Sequence, residues 1–451
     1  MAERAFDVIV IGAGAPGEVI AGRLGEAGLE VAVVEERLVG GECSFFACMP
    51  SKALLRPGEL AAEARRVPGV ATGSLDADAV LARRDEIVHD LDDATQLPWL
   101  EERGVALVRG HGRLDGERRV RVGDDVLQAR RAVVLASGSS ATIPPVPGLA
   151  EADPWTNIEA TTAKHVPGRL FVLGGGVVGV EMAQAWSSLG SDVTLVHRGD
   201  RLIEREERFA GAQVEAGLRD AGVGVRLQTS VTAVARNRSL QIELDDGTTS
   251  EADEILVAIG RTPRTTDVGV ETVGLEPGKH VVVDESLRVP GHDWLYAVGD
   301  VNGRALLTHM GKYQARLAAD AILGKTVRLR SDGGASPRVI FTDPQVGAVG
   351  LTLAAATEAG LRVRAVDVET SGNAGGSFVG RGAPGTSRLV VDEERRVVVG
   401  ATITGAEVAE SLHAATIAVV AEVALEDLWH AVPSFPTRSE LWLRLLEAYG
   451  L

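Results

Sequence analysis

The stretch Phe6-Asp7-Val8-Ile9-Val10-Ile11-Gly12-Ala13-Gly14-Ala15-Pro16-Gly17 sets the architecture of the chain. Its first half is apolar and β-branched, the pattern of a strand buried on both faces in a parallel sheet. Its second half places glycines at 12, 14 and 17, with Pro16 where a first helical turn loses nothing by lacking an N–H. A helix follows, with Ile20 and Leu24 on one face, then a strand Val31-Ala32-Val33-Val34 that closes at Glu35. Strand, Gly-x-Gly-x-x-Gly turn, helix, strand and terminal acid together read as a dinucleotide-binding unit. Gly12, Gly14 and Gly17 let the backbone approach a pyrophosphate at the positive end of the helix, and Glu35 accepts hydrogen bonds from a ribose diol. A bare structural turn is the alternative, and the acid at the end of the second strand argues against it.

The unit recurs. Leu170-Phe171-Val172-Leu173 runs into Gly174-Gly175-Gly176-Val177-Val178-Gly179, a helix carries Val180 to Leu189, and a strand covers Asp192–Val196. His197 follows Gly174 by the same interval as Glu35 follows Gly12. One supersecondary unit is therefore repeated, with Gly174, Gly176 and Gly179 lining a second dinucleotide site. The second copy differs at the end of its second strand. His197 replaces the acid, and Arg198, Arg201 and Arg205 follow. An acid there bonds a free 2′-hydroxyl and repels a 2′-phosphate; arginines do the reverse, so Arg198 and Arg201 favour NADPH over NADH. The alternative is that these arginines decorate a loop and are neutralised by Glu204, Glu206 and Glu207.

The only two cysteines, Cys43 and Cys48, lie in Gly40-Gly41-Glu42-Cys43-Ser44-Phe45-Phe46-Ala47-Cys48-Met49-Pro50-Ser51-Lys52. Residues five apart in a regular helix are separated by about 7.5 Å along the axis and point in different directions, so the pair cannot bond inside an ideal helix. It can if Cys43 lies in the entering turn and Cys48 in a distorted first turn. Gly40-Gly41 supplies the turn and Pro50 loosens the helix start. A thiolate at a helix N-terminus is also stabilised. Two unrelated buried thiols are the bland alternative. Two cysteines in a reducing compartment are more often catalytic or redox-sensing than structural.

Bulk properties bound the rest. A length of 451 residues fits about three domains, and 45% hydrophobic residues suffice for large cores. The net charge of −17 argues against nucleic acid or an anionic membrane as partner. Apolar runs such as Phe6–Ile11 and Ala132–Ala136 have strand length, far below the ~20 residues of a membrane span. The N-terminus enters a strand without the pattern of a signal peptide, so a cytoplasmic protein is expected. No metal-binding cluster is expected. A long polar helix pattern covers about 76–103, Ile143–Gly148 reads as a Pro-rich linker, and the last third, from about Arg338, carries alternating strands such as Arg396–Val399 with helices.

The cysteine segment resembles the redox-disulfide signature of the flavoprotein pyridine nucleotide-disulfide oxidoreductases, the family of lipoamide dehydrogenase, glutathione reductase and mercuric reductase. The resemblance extends over the chain. Ala136-Ser137-Gly138-Ser139 is similar to the segment closing the first flavin-binding stretch, with Ser137 where threonine is usual. Ala258-Ile259-Gly260-Arg261-Thr262-Pro263 is similar to the end of the nicotinamide domain. Ala297-Val298-Gly299-Asp300 is similar to the second flavin motif, and Phe341–Gly347 to the opening of the dimer-interface domain. The resemblance implies an α/β fold with two Rossmann-like domains, for FAD and NAD(P), plus a C-terminal α+β dimerisation domain. The segments would be 1–148 (FAD, first part), 149–266 (NAD(P)), 267–336 (FAD, second part) and 337–451 (interface). It implies FAD and NADPH (or NADH) as cofactors and a homodimer with a shared active site. It further implies Cys48 as the thiol beside the flavin, Cys43 as the interchange thiol, and Lys52 near the flavin N5, paired with Glu181. Ser137, Gly138, Gly260, Gly299, Asp300 and His309 would contact cofactor; an ordinary structural role for His309 is the alternative.

The chain departs from the family pattern at its end. Where a His-Pro-Thr-x-Ser-Glu segment is usual, this sequence reads Phe435-Pro436-Thr437-Arg438-Ser439-Glu440. Phenylalanine cannot protonate a departing thiolate. Glu440, left without its histidine, becomes a candidate acid with a pKa raised by burial, and His430 is a second candidate or an ordinary helix-end residue. The sequence thus supports transfer from NAD(P)H through flavin and the Cys43–Cys48 pair to a small disulfide or sulfur acceptor. Reduction of quinones, soft metal ions or dyes is the first alternative, and a flavin-bearing redox sensor or partner subunit the second.

Overall fold

A computed structural model describes residues 3–451. The chain divides into two compact units, one of residues 1–50, 85–142 and 260–333, the other of residues 51–84, 143–259 and 334–451.

The first unit is built on a parallel sheet. β1 (Glu3–Ile11) lies between β2 (Val31–Glu35) and the strand Asp125–Leu135; β3 (Val105–Arg109) extends the β2 side and Leu295–Ala297 the other. Val8, Ile9 and Val10 are fully buried, which is why this strand reads as an unbroken apolar run. The parallel strands present their carboxyl ends on one side, the edge where open α/β sheets bind ligands. Ile11, Glu35, Leu135 and Ala297 therefore deliver the Gly12, Ser137 and Asp300 segments to one place.

The second unit repeats the design with Arg169–Leu173, Asp192–Val196, Gly224–Arg226 and Glu254–Val257, all parallel. A three-stranded antiparallel sheet (Val231–Ala252) and a five-stranded antiparallel sheet (Arg338–Gly405) complete it. The helices Val408–Val420 and Leu441–Tyr449 bury Leu412, Ala415, Leu445 and Leu446 in the core of that last sheet. This gives the expected α/β fold with a C-terminal α+β portion.

Two expectations change. The pattern at 76–103 is a helix only over Ala77–Ile87, followed by a 3₁₀ turn and a short helix Leu97–Glu101. His89, Asp90 and Leu91 all have positive φ, which stops the helix. Asp93, just beyond, accepts from the Val39 N–H at 2.7 Å and from Arg109 at 2.6 Å. The strand expected at Arg396 begins at Val397, because Arg396 has φ 52°. No described helix is long and apolar enough to cross a membrane.

Candidate functional site

The two glycine turns are built alike to the tenth of an ångström. A Cβ on Gly12 (φ 103°) would lie 2.4 Å from the Ala136 carbonyl oxygen, and one on Gly174 (φ 121°) 2.4 Å from that of Ala258. A Cβ on Gly17 or on Gly179 would lie 1.9 Å from the carbonyl oxygen of Gly12 or Gly174 respectively. Only glycine fits these positions. α1 (Ala15–Glu26) and the helix Val177–Ser188 start from Gly14 and Gly176 without a side-chain cap, leaving their first N–H groups for a ligand.

Around the first turn, Glu35 Oε2 accepts from the Ala13 N–H and Oε1 from the Arg37 N–H, both at 2.8 Å. Gly40 (φ 111°) and Gly41 (φ 62°) fold the following segment back so closely that a Cβ on Gly41 would lie 2.7 Å from Gly14 Cα. Asp300, at the end of the Leu295–Ala297 strand, accepts from Ser139 Oγ at 2.6 Å. Burial holds its carboxyl above the usual carboxylate range, against the Ser139 hydrogen bond and the Arg261 charge. Arg261 bonds Ser139 Oγ at 2.7 Å and Glu42, and Arg264 bonds Glu42 at 2.7 Å. Glu42, which sits beside Cys43, carried no signal in the sequence because its partners lie more than 200 residues away. The Ser137 hydroxyl donates to the Arg264 carbonyl, and the Ser139 hydroxyl donates to Asp300. Gly138, Gly260 and Gly299 adopt positive φ of 75°, 145° and 79°. Uncapped helix start, glycine-lined approach and a half-buried carboxylate fit the pyrophosphate and polyol of a flavin dinucleotide.

Glu18, in the first turn of α1, donates its backbone N–H to the Gly14 carbonyl at 3.0 Å, and its carboxyl makes no hydrogen bond or ion pair with a described residue. Burial pushes it up to about 7, with Lys312 pulling the other way and Glu35 adding to the rise. A carboxyl raised in the fold keeps its proton there, so its cost grows as pH rises from the unfolded value toward 7 and is constant above. Glu18→Gln is accordingly expected to stabilise the protein by up to about 2–3 kcal/mol at pH 8 and by much less at pH 5. Thermal midpoints at the two pH values check this; an equal shift at both would refute it.

The cysteines sit in separate elements, as the helix geometry demands. Cys43 lies in the short α2 (Gly41–Phe45), and Cys48 is the first residue of α3 (Cys48–Arg66), with Pro50 in its first turn. Both are half-buried and are not covalently joined. Thr308 Oγ1 lies 3.3 Å from Cys48 Sγ. The Cys48 thiol and burial push Cys43 up, opposed by the Thr308 hydroxyl and the Lys312 charge. His309, beside Thr308, is exposed.

In the second unit Lys52, one turn along α3, donates to Glu181 Oε2 at 2.7 Å, and Glu181 Oε1 accepts from the Phe341 N–H at 2.9 Å. The Glu181 side chain is 4% exposed and that of Lys52 36%. Lys52 Nζ also lies over the Phe341 ring.

At the second glycine turn His197 Nδ1 accepts from the Gly175 N–H at 3.2 Å, the same backbone position that Glu35 serves in the first copy. Arg198 is exposed. Arg201 Nε is buried without a hydrogen-bond partner among the described residues. The acids that might neutralise these arginines are engaged elsewhere: Glu206 with Arg338, Glu207 with Arg388, and Glu204 with His197. Val177 and Val178 lie bare on the turn, 45% and 36% exposed.

At the C-terminal end Phe435 is 77% and Val432 82% exposed. Arg438 anchors the segment through Glu407 and the Ala406 carbonyl, and buried Glu440 accepts from the Gly375 N–H at 3.2 Å. His430 ends the helix Leu425–His430 and is exposed. No described cluster of three or more His, Cys, Asp or Glu residues suits a metal ion.

Two dinucleotide seats in one chain and a close thiol pair beside the first define a nucleotide-dependent thiol oxidoreductase. Comparison with known proteins gives the family. Residues 6–320 match the pyridine nucleotide-disulphide oxidoreductase model and residues 336–445 its dimerisation domain. The chain belongs to the pyridine nucleotide-disulphide oxidoreductase family, whose members are flavoenzymes that use FAD and NAD(P)H. It is 30% identical over 445 residues to a mercuric reductase of Staphylococcus aureus, covering 96% of this chain and 81% of that protein. It is 31% identical over 463 residues to a dihydrolipoyl dehydrogenase of Haloferax volcanii, covering 98% and 95%. The solved structure of the HOCl-induced flavoprotein disulfide reductase RclA from Escherichia coli matches with a TM-score of 0.87 at 24% identity, over 98% of this chain and 99% of that one. A Cu(II) complex of RclA matches equally, with a TM-score of 0.87 at 23% identity and 99% coverage of both chains.

Proposed function

We propose that this enzyme carries electrons from NADPH to a small disulfide or related sulfur acceptor through the Cys43–Cys48 pair. The observation that supports this reading is the placement of the two cysteines on adjoining helices, Cys43 in the short α2 and Cys48 at the start of α3, with Thr308 Oγ1 3.3 Å from Cys48 Sγ. Bound FAD supplies the hydride acceptor and the electron pair that opens the Cys43–Cys48 disulfide. Cys48 is then the flavin-side thiol and Cys43 the thiol that meets the acceptor. Lys52, oriented by Glu181, would offer the flavin a positive charge, as the family resemblance implies, and Glu35, Asp300 and the glycines of the first turn would hold the dinucleotide. Glu440 is the candidate acid near the acceptor.

An anaerobic titration with NADPH tests the reading. A long-wavelength charge-transfer band at two electrons is expected, followed by turnover with members of a panel of low-molecular-weight disulfides. Rapid reduction of the cysteines with no turnover of any disulfide would sink the sulfur acceptor.

Exposed Arg198, and Arg201, whose guanidinium donates to the Glu204 carbonyl and pairs with no acidic side chain among the described residues, support NADPH. Replacing both by alanine is expected to raise KM for NADPH about tenfold or more while leaving KM for NADH within about twofold. Equal effects on the two coenzymes would return the arginines to the role of surface decoration.

Exposed Phe435, the mercuric reductase relatives and the Cu(II) complex of RclA favour a second reading, reduction of soft metal ions, with quinones and dyes as related acceptors. Such acceptors need no proton for a departing thiolate. A flavin-bearing redox sensor is the third reading, and steady turnover of any acceptor would argue against it. The bare Val432 and Phe435 and the dimerisation domain support a homodimer in which this segment meets the partner subunit. The segments 1–148, 149–266, 267–336 and 337–451 remain the proposed domain division, and a reducing cytoplasmic setting fits a redox-active thiol pair.

A further inference from the structure

We propose that Glu204, held in place by His197, is the carboxylate that receives the ribose hydroxyls of a nicotinamide coenzyme at the second glycine turn, so that this seat accepts NADH beside NADPH. This rests on the reading of that turn as the coenzyme seat and adds a residue that lies outside the glycine motif. The two copies stay in register to the ends of their second strands. The Gly12 N–H donates to the Val34 carbonyl at 2.8 Å, and the Gly174 N–H to that of Val196 at 2.9 Å. The next N–H of each turn goes to a side chain: that of Ala13 to Glu35 Oε2 at 2.8 Å, that of Gly175 to His197 Nδ1 at 3.2 Å. An imidazole thus stands where the first copy has a carboxylate.

The second copy has not lost its carboxylate; it is moved outward by the width of the ring. Nδ1 accepts an N–H, so the neutral imidazole carries its proton on Nε2, and Nε2 lies 3.3 Å from Glu204 Oε1. Gly199 gives that carboxylate its room: a Cβ there would lie 1.7 Å from Glu204 Oε1 and 2.8 Å from His197 Nε2. The backbone that carries Glu204 is itself tied down. The Ile203 N–H donates to the Gly175 carbonyl at 2.9 Å, and the Arg201 guanidinium donates to the Glu204 carbonyl. The His197 side chain is 16% exposed and that of Glu204 51%, so the ring is a strut and the carboxylate keeps an open side for a ligand. A carboxylate at the end of the second strand bonds a free 2′-hydroxyl and repels a 2′-phosphate, and arginines do the reverse. Glu204 therefore opposes Arg198 and Arg201, and the balance between them sets which coenzyme the seat prefers.

The test is calorimetric titration of the flavin-loaded protein with NAD+ and with NADP+, in which no electron is transferred. Glu204→Gln is expected to weaken NAD+ binding about fivefold or more and to tighten NADP+ binding about twofold or more. His197→Leu is expected to weaken NAD+ binding in the parent but to change it less than about 1.5-fold in the Glu204→Gln background, because the ring acts through the carboxylate. Flavin content and a thermal midpoint equal to the parent's show that the variants fold. An NAD+ affinity of Glu204→Gln within about 1.5-fold of the parent, or an equal change for both nucleotides, would overturn the proposal, as would losses from His197 and Glu204 that multiply independently. The role of Arg198 and Arg201 is read separately, through NADP+ binding to their double alanine variant, so its failure is told apart from a failure of Glu204, which is read through NAD+.

Discussion

Cys43→Ser is expected to lower turnover with disulfide acceptors by about a thousandfold or more while NADPH still reduces the flavin. A hydroxyl is a far weaker nucleophile than a thiolate at neutral pH, and the disulfide that must open and close no longer exists. Cys43 lies within α2 and Cys48 opens α3, so a serine at 43 fits without disturbing the turn made by Gly40 and Gly41. The loss is therefore chemical, and flavin content should match the parent's. The variant also separates the competing acceptors. Quinone or dye reduction at the parental rate would show that those electrons bypass the thiols, and loss of metal-ion reduction would place a soft ion on the dithiol. Disulfide turnover within tenfold of the parent would overturn the assignment of Cys43.

Lys52→Met is the second large effect. Glu181 is almost wholly buried, and its two oxygens are satisfied by Lys52 and by the Phe341 N–H. Removing the ammonium leaves a carboxylate in a dry setting with one hydrogen bond. One-sided loss of a fully buried pair costs about 3–5 kcal/mol; Lys52 is about one third exposed, so about 2–3 kcal/mol is expected here. The double variant Lys52→Met with Glu181→Leu should recover part of that loss, because no buried charge is stranded. Thermal or denaturant unfolding of the single and double variants measures the coupling, and additive losses would show that the pair is not a unit. A fall in the rate of flavin reduction by NADPH that the double variant does not restore would report the electrostatic role separately from the structural one.

The parts of the fold governed by short-range sterics were legible in the sequence. A glycine with positive φ beside a carbonyl leaves a local signature, so both dinucleotide turns could be read, down to their shared spacing. The cysteine pair yielded in part, since a bond between positions 43 and 48, which the family resemblance implied, is incompatible with one regular helix. Contacts between distant segments left no such trace. Glu42 meets Arg261 and Arg264 only after the chain has built an intervening domain, and nothing near Glu42 announces it. Thr308 escaped notice because its neighbour His309 carries the more conspicuous chemistry. The break in the 76–103 helix was hidden because His89, Asp90 and Leu91 include no Gly or Pro, and Asp90 alone is a weak turn signal among the many charged residues of that stretch; the left-handed run precedes Asp93, which accepts from Val39. The pairing of Lys52 with Glu181 was accessible only through family resemblance.

The two glycine turns share their inner dimensions but not their outer boundary. At the first, Gly40 and Gly41 are folded down onto Gly14; at the second, a Cβ placed on Gly176 meets nothing within 4 Å. The chain thus folds over the first turn and leaves Gly176 of the second uncovered, so slower exchange of a flavin at the first than of a nicotinamide coenzyme at the second is expected.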